Sequence, residues 1–396
     1  MKFRAILVAL TAYLANIGLA IAQTGCPSPQ PYSNMTLTFF DTFKNGVLDT
    51  SKWTTVAAGG ANAINNELQA YIPSGVQVLS TGGLRLQANQ QSFWTQNYTS
   101  GEIVSRGHFT QTYGRFEMSA KMPNGNGLWP AFWLLPDSGQ WPPEIDVLEY
   151  IYAPNGFMPN YPNTTSGAFQ ALHWKDSTGN RSIGFTKYGD FGSTYHTYTI
   201  DWRPGSLVYI IDGIVQNCVI DDATTGTRVP SQPMYILANL AIGPANSWSG
   251  TLSSSTLLPA NMDIRYITAY KFNDLPPAPP LPITVKNITA SSTVITPGQT
   301  VTLSADVVIG NTTLPGPTAV QFLIYNYDGS QLLNAVNYTG PSSFLANTTY
   351  HSSVFYTFSA NTVPGIYTFA VAPFWNNWAS SFWFPAKNAP PITLSR

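Results

Sequence analysis

The chain has 396 residues and a formal net charge of −1, with 9% charged and 13% aromatic residues. So weak a charge excludes the basic surface that nucleic-acid binding requires. After the apolar N-terminal segment, the sequence contains no second apolar run of about 20 residues, so we expect no membrane span in the mature chain. Frequent Gly, Pro, Ser, Thr and Asn residues are typical of short strands joined by turns, and the length indicates one or two domains.

Residues 1–22 have the features of a secretory signal peptide. A short basic stretch, Met1-Lys2-Phe3-Arg4, precedes a largely apolar run from Ala5 to Ala22 that ends in small residues. This arrangement predicts cleavage before Gln23. We therefore expect a secreted, extracellular protein, and the alternative is an N-terminal membrane anchor.

Two further features fit an oxidising, extracellular compartment. Cys26 and Cys218 are the two cysteines, and they predict one bridge between the mature N-terminus and a late strand, the alternative being two buried free thiols. Eight sequons predict a glycoprotein with these positions at the surface. The sequons lie at Asn34, Asn97, Asn163, Asn180, Asn287, Asn311, Asn337 and Asn347.

Two consecutive segments read as strands ahead of an acidic stretch. Gly114–Met122 alternates polar and apolar residues over nine positions, as a half-buried strand does, and turn residues follow it. Leu128–Pro136 is rich in large apolar residues. Trp129 and Trp133 are four positions apart, so they share one face of a strand. Either ring is a candidate for stacking on a flat ligand or for packing in the core.

Three carboxylates then fall within six residues: Glu144, Asp146 and Glu149. The residues between them are apolar and strand-favouring, and Pro142-Pro143 suits an extended lead-in better than a helix. In a regular strand Glu149 would face away from Glu144, but a β-bulge at Val147-Leu148 returns it to the same side. In a helix the two Glu side chains would lie roughly 140° apart.

The bulged strand predicts acid–base chemistry. Its two Glu residues would be about four strand steps apart, roughly 13 Å between backbones, and leaning side chains can close this to the ~5–5.5 Å carboxyl separation of retaining glycoside hydrolysis. Three close carboxylates cannot all ionise freely, so at least one should hold a proton near neutral pH. The alternatives are an acidic loop or a cation site, although calcium loops usually place Gly and polar residues between their ligands. Spacing alone does not assign the two Glu roles.

The stretch Glu144–Glu149 resembles the signature of glycoside hydrolase family 16, in the bulged form typical of laminarinase-like members. By this resemblance Glu144 is the nucleophile, Glu149 is the general acid/base, and Asp146 tunes the nucleophile. The family also places a histidine close to the acid/base, which here would be His173. A structural role for this histidine is the alternative.

The resemblance extends over about 240 residues, with motifs in the family's order. It includes Leu128–Pro136 and the closing strands Tyr235–Gly243 and Met262–Tyr270. It implies an all-β fold, a jelly-roll (concanavalin-like) sandwich whose concave sheet carries the cleft. Many members hold a structural calcium ion, for which Asp263 is the candidate ligand here. The segment Ile242–Trp248 departs from the family's Gly-Gly turn, and the region around Ala153 to Ser166 also looks individual, so the shape of the cleft rim is left open.

A proline-rich connector at 273–282 separates residues 23–272 from a smaller region at 283–396. Short alternating runs with Pro-Gly turns in the second region predict an Ig/fibronectin-like β-sandwich. Trp375, Trp378 and Trp383 are candidates for a sugar-binding patch. A spacer or stabilising role is the preferred interpretation.

These observations predict a secreted retaining endo-glycosidase that hydrolyses β-1,3- or mixed β-1,3/1,4-glucans as a monomer, with a polysaccharide as its partner and no required cofactor. Rival functions are a galactan-active hydrolase or transglycosylase on the same fold, and a non-catalytic glucan-binding protein. The catalytic candidates are Glu144, Asp146 and Glu149. The substrate-binding candidates are Trp129, Trp133, Trp141, His173, Asn66 and Arg106.

Overall fold

The computed structural model describes residues 27–56, 64–93, 95–138, 141–153, 166–176, 178–245, 247–254, 256–275, 283–325, 332–362, 365–375, 380–381, 384–385 and 392–394. The predicted signal peptide, Cys26, Asn163, Trp378, Trp383 and the connector beyond residue 275 lie outside these ranges. The predictions made for them, including the bridge from Cys26 to Cys218, stay predictions. No helix in the described ranges is long and apolar enough to cross a membrane.

The regular structure is almost entirely β. The strands up to residue 272 are β1 (Met35–Asp41), β2 (Thr54–Thr55), β3 (Gln69–Tyr71), β4 (Val76–Val78), β5 (Leu84–Ala88), β6 (Tyr98–Ser100), β7 (Glu102–Val104), β8 (Gly114–Lys121), β9 (Leu128–Pro136), β10 (Glu144–Ile151), β11 (Gly167–Asp176), β12 (Gly179–Tyr188), β13 (His196–Arg203), β14 (Ser206–Ile211), β15 (Ile214–Ile220), β16 (Met234–Ile242) and β17 (Ala260–Phe272). Single 3-10 turns occur at Tyr32–Asn34, Ile64–Asn66 and Pro73–Gly75.

Two large sheets form a jelly-roll sandwich, as predicted. One sheet, here called the site sheet, has the strand order β12-β11-β10-β9-β16-β7-β2. The opposite sheet has the order β15-β14-β13-β8-β17-β5-β4, with β1 paired to β17. A single hydrophobic cluster draws side chains from both sheets, for example Phe132 and Ile145 from the site sheet and Phe116 and Ile200 from the opposite sheet. Burial of this shared apolar layer holds the sheets face to face.

Alternation along β9 separates the two faces of the site sheet. Leu128, Phe132 and Leu134 are at most 1% exposed and belong to the shared core. Trp129 and Trp133 lie between them in sequence and are only partly buried. Because successive strand side chains point to opposite faces, both indoles lie on the face away from the core. That face is where a ligand can reach the sheet.

A β-bulge interrupts β10 where the sequence predicts it. On the β9 side Asp146 pairs with Trp133 and Leu148 with Phe132, so Val147 is left without a partner. On the β11 side the register also shifts between Asp146 and Glu149. Val147 and Leu148 are both fully buried in the shared core. The extra residue therefore changes the side-chain alternation once, and Glu149 returns to the face that carries Asp146.

Residues 283–394 contribute ten further strands within the described ranges. They are β18 (Ile283–Ala290), β19 (Val294–Ile295), β20 (Thr300–Ile309), β21 (Ala319–Tyr325), β22 (Leu332–Thr339), β23 (Thr349–Thr357), β24 (Gly365–Trp375), β25 (Ser380–Ser381), β26 (Phe384–Pro385) and β27 (Ile392–Leu394). They form a three-stranded sheet, β18-β20-β23, and a sheet of order β19-β27-β24-β21-β22 with β25 and β26 paired to β24. A second hydrophobic cluster joins these sheets, and Trp375 packs against it.

Candidate active site

The three carboxylates of β10 lie on the face of the site sheet that points away from the core. Glu144 and Glu149 are partly exposed, whereas Asp146 is only 2% exposed. The residues between them, Ile145 and Val147 among them, are fully buried on the other face. The bulge thus converts a six-residue stretch into a row of three acids that one ligand can meet.

Glu144 is fixed by two neighbours. The indole Nε1 of Trp141 donates a hydrogen bond to its Oε2 at 2.8 Å. Across the ladder, His173 is its Cα partner on β11, and the imidazole Nε2 lies 3.8 Å from the other carboxyl oxygen, Oε1. Trp141 is 45% exposed. This indole can therefore orient Glu144 through its N–H and still offer ring surface to a ligand.

His173 lies beside the nucleophile candidate rather than beside the acid/base candidate. Its Nε2 is 3.1 Å from Oδ2 of Asp146, which is closer than its approach to Glu144. The resemblance to the family placed this histidine near Glu149, and the β10–β11 register explains the difference, because His173 pairs with Glu144 and Phe169 pairs with Glu149. Both described ion-pair contacts of the imidazole are to Glu144 and Asp146.

Glu149 lies in more apolar surroundings. Its Oε1 accepts a hydrogen bond from Nε1 of Trp129 at 2.8 Å. Trp248 packs edge-to-face against both Trp129 and Phe169, with ring centroids 5.4 and 4.8 Å apart. The N–H of Trp129 therefore orients the carboxyl group of Glu149 by donating a hydrogen bond to it. Sequence reasoning missed Trp248 as a site residue because its loop departs from the family pattern, although that departure was itself the signal.

Burial and mutual repulsion retain protons on this cluster. Burial, assisted by the charge of Asp146, raises the pKa of Glu144 to about 8, although Trp141 and His173 act in the opposite direction. Burial raises the pKa of Asp146 to about 7. Burial, followed by the charges of Asp146 and Glu144, raises the pKa of Glu149 well above its usual range. Because these groups interact closely, they share their protons as one system.

A second polar group extends from the catalytic row along the same face. Nε1 of Trp133 donates to Oδ1 of Asn239 at 2.8 Å, and Nδ2 of Asn239 donates to the hydroxyl of Tyr71 at 2.8 Å. The Tyr71 hydroxyl lies 3.3 Å from the carboxyl of Glu67. Glu102 on β7 is the Cα partner of Asn239. The group extends from β9, the neighbour of β10, to β7, three strands and ~14 Å away at ordinary strand spacing, within reach of a ligand several sugar units long.

The two remaining binding candidates differ in their placement. The guanidinium of Arg106 donates to the backbone oxygen of Asp137 at 3.1 Å and lies 5.4 Å from the ring centroid of Tyr235. Tyr235 is on β16, on the same face as the carboxylates. Arg106 is therefore at the site sheet with part of its hydrogen-bonding capacity in use. Asn66 is exposed in a left-handed conformation, φ 56°, and the structure records no contact between it and the carboxylates.

The predicted calcium ligand does not fit that role. Both carboxyl oxygens of Asp263 accept hydrogen bonds from Arg85, at 2.7 and 3.0 Å, and Lys121 lies 3.9 Å away. A carboxylate already neutralised by two cations is a poor ligand for a third. Among the described residues, the ligand atoms of Glu144, Asp146 and His173 lie within 4.8 Å of one another, close enough for a metal ion.

We expect the free energy of unfolding of Glu102→Gln, relative to that of wild type, to be higher at pH 8 than at pH 5. Burial, assisted by the charge of Glu67, raises the pKa of Glu102 from 4.5 to about 8. The folded state therefore binds this proton more tightly than the unfolded state does. The stability that this proton contributes is complete below about pH 4.5 and is lost as pH rises through 8. An amide does not titrate, so the variant does not undergo the decrease in the free energy of unfolding, on the order of a few kcal/mol, that wild type shows as pH rises.

The measurement is thermal or urea unfolding of wild type and variant at both pH values. The matched control is Glu117→Gln on the opposite sheet, where the buried carboxylate accepts hydrogen bonds from Tyr32, Thr199 and Tyr266. This control should be less stable than wild type at both pH values. A Glu102→Gln effect of the same size at pH 5 and pH 8 would contradict the prediction.

Comparison with known proteins supports a single family. The sequence profile described as "Glycosyl hydrolases family 16" matches residues 73–264, which include all three β10 carboxylates. A beta-glucanase of Rhodothermus marinus is 28% identical over 279 residues, covering 66% of this chain and 94% of that protein. An endo-1,3-1,4-beta-glycanase of Rhizobium meliloti is 32% identical over 266 residues, covering 61% of this chain and 53% of that protein. The solved catalytic domain of an endo-1,3-beta-glucanase (laminarinase) from Thermotoga petrophila matches with a TM-score of 0.53 and 26% identity, covering 61% of this chain and 99% of that chain.

Proposed function

The chain belongs to glycoside hydrolase family 16 through residues 73–264, and on this premise we propose that it is a secreted, retaining endo-glycosidase that cleaves β-1,3- or mixed β-1,3/1,4-glucans. Glucan is the substrate class because the relatives from Rhodothermus marinus and Rhizobium meliloti are named as a beta-glucanase and an endo-1,3-1,4-beta-glycanase. Secretion rests on the signal sequence of residues 1–22.

The bulge in β10 is the observation that carries the proposal. It places Glu144 and Glu149 on one face with Asp146 between them. Without it, one of the two Glu side chains would point into the hydrophobic core. Two carboxyl groups on one face are what glycoside hydrolysis requires, and the retaining course is the part of the proposal that follows from the resemblance to the family.

The two Glu residues have separate tasks in this mechanism. Glu144 attacks the anomeric carbon while Glu149 donates its proton to the leaving glycosidic oxygen, and a covalent glycosyl-enzyme forms. Glu149, now ionised, then removes a proton from water, which attacks the anomeric carbon and releases Glu144. The raised pKa of Glu149 supports its role as the proton donor, because burial and the charges of Asp146 and Glu144 favour its protonated form.

The neighbouring groups support these tasks. The hydrogen bond from Trp141 orients one oxygen of Glu144 and leaves the other for attack. Asp146 lies 3.1 Å from Nε2 of His173. Its negative charge opposes ionisation of Glu144, so a proton held on Asp146 favours the ionised nucleophile. Trp129 orients Glu149. The group around Trp133 and Asn239 provides donors and acceptors for hydroxyl groups of bound sugar units.

The rest of the chain has supporting tasks in this proposal. The region 283–396, which follows the connector at 273–282 in the sequence, is an accessory sandwich that acts as a spacer or stabilising unit. The protein works as a monomer, and these acid–base steps need no cofactor. The rim loop that carries Trp248 shapes the part of the cleft next to Glu149.

The proposal is tested by reducing-end release from laminarin and from mixed-linkage barley glucan, using the purified mature protein. We expect release from at least one of them, with the β-anomer appearing first by proton NMR, as retention requires. First appearance of the α-anomer would overturn the retaining mechanism. No release from either glucan would overturn the substrate class, and galactans and transfer to added acceptor sugars would then be assayed.

A further inference from the structure

We propose that Gln170 is a positioning residue that holds the catalytic bulge in place by capping the backbone carbonyl of Val147. The inference rests on the proposed function, since it concerns how Glu149 reaches the cleft. Gln170 does not lie on the cleft face. It acts on the reaction only through the strand that carries the acids.

The position of Gln170 is unusual for its strand. The residues that share its face of β11, Ala168, Leu172 and Trp174, all belong to the shared hydrophobic core. Gln170 itself is 1% exposed. An amide buried among apolar side chains is costly unless it makes hydrogen bonds, so a specific partner is required to explain it.

That partner is the bulge. Nε2 of Gln170 donates to the backbone oxygen of Val147 at 3.1 Å. Val147 has no register partner on β9 or on β11. Gln170 lies between the two β11 residues, Phe169 and Ala171, at which the β10 register shifts. The side chain therefore caps a carbonyl at the point where the regular pairing of β10 is interrupted.

This contact links the core to the spacing of the two acids. Without the Gln170 donor, the buried Val147 carbonyl loses this hydrogen bond, and the strand gains by rotating the carbonyl or by moving the bulge along β10. Either movement shifts Glu149 relative to Glu144, because the bulge lies between them. Glu144 is anchored on the other side of the bulge by Trp141. We therefore expect the acid/base function to suffer more than the nucleophile function.

The chain offers a matched control. The hydroxyl of Tyr209, on the opposite sheet, donates through the core to the backbone oxygen of Ala171 at 2.7 Å. Tyr209→Phe removes a buried hydrogen bond to the carbonyl of Ala171, the partner of Asp146 in the same ladder, and leaves the Val147 carbonyl capped by Gln170. Gln170→Leu removes the amide that caps the bulge and replaces it with an apolar side chain of similar size. The two variants thus differ in which carbonyl they leave unpaired.

The test compares two substrates of the sugar type that wild type hydrolyses. An oligosaccharide needs proton donation from Glu149, whereas its 2,4-dinitrophenyl glycoside has a leaving group that departs without a proton. For Gln170→Leu we expect kcat/KM on the oligosaccharide to fall about 100-fold, the cost of misplacing a reacting group by about 1 Å. On the dinitrophenyl glycoside it should fall less than about tenfold. Tyr209→Phe should change both values by the same factor. Equal losses on both substrates for Gln170→Leu, or no loss, would overturn the inference.

A second variant covers the case in which Gln170→Leu does not fold. In Gln170→Glu the introduced carboxyl can donate to the Val147 carbonyl only while it is protonated. The ratio of variant to wild-type kcat/KM on the oligosaccharide should therefore fall as pH rises, and a ratio independent of pH would overturn the inference. Amide hydrogen exchange provides a readout without substrate. The β10 amides should exchange about tenfold faster in Gln170→Leu than in Tyr209→Phe, and equal exchange would count against Gln170. An inactive wild type would instead count against the proposed function.

Discussion

Glu144→Gln is expected to lower kcat on glucan by on the order of 10⁴-fold or more, because an amide cannot form the glycosyl-enzyme. The amide oxygen can still accept the hydrogen bond that Trp141 donates to the wild-type carboxyl. Since burial raises the pKa of Glu144 to about 8, replacing it should also leave the melting temperature at neutral pH equal to or higher than that of wild type. Loss of activity without loss of stability would identify a chemical role.

Covalent labelling provides an independent readout. A 2-deoxy-2-fluoro glycoside with a good leaving group should trap the glycosyl-enzyme, since fluorine slows its breakdown. The mass increase is expected on the peptide that contains Glu144 in wild type and is expected to be absent in Glu144→Gln. Glu117→Gln, on the opposite sheet, is the control and should label like wild type. Labelling of a different carboxylate, or near-normal turnover by Glu144→Gln, would remove Glu144 from the nucleophile role.

Glu149→Gln is expected to lower kcat/KM on unactivated glucan by about 10²–10⁴-fold, the usual contribution of a general acid. On a dinitrophenyl glycoside the first step should be almost unaffected, and the slow second step should produce a burst of dinitrophenol. Added azide should accelerate this second step and yield a β-glycosyl azide, because azide attacks without a general base. Steady-state kinetics with and without azide measure both effects.

The pH profile adds a test of the same residue. Burial and the charges of Asp146 and Glu144 raise the pKa of Glu149 well above its usual range. Wild-type kcat/KM should therefore rise as Glu144, whose pKa is also raised, ionises and becomes nucleophilic, and it should fall on the alkaline side as Glu149 loses its proton. For Glu149→Gln on the dinitrophenyl glycoside that alkaline fall should be absent. The same alkaline fall in both proteins would assign it to another group.

The acidic stretch shows how far local sequence can specify a site. If the stretch is a strand, three acids separated by apolar residues all avoid the core only when the strand carries one extra residue. Val147 and Leu148 side by side mark the extra residue, because both are apolar and both must be buried. The bulge and the common face of Glu144, Asp146 and Glu149 were therefore predictable from a pattern of six residues.

The partners of these acids were not predictable in the same way. Trp129 and Trp133 have the same spacing and residue type, yet one indole donates to Glu149 and the other to Asn239. The difference arises from strands that are distant in sequence: β10 lies on one side of β9 and β16 on the other. The shortest contacts of His173, to Asp146 and Glu144, likewise follow from the register of β10 against β11.

The sequence by itself determined the β class, the strand that carries the acids and the bulge within it, because these depend on alternation and spacing along a short stretch. The family came from the resemblance of the motifs. Only the tertiary structure decided which side chains complete the site. Trp248, Glu102 and Gln170 lie on loops or strands far from the acidic stretch in sequence. Their contacts arise when strands pair and the sheets pack. The role of a buried glutamine next to a bulge cannot be inferred until the strand that pairs with it is known. Local sequence determines which side chains are buried, whereas the register between paired strands determines which side chains contact the three acids.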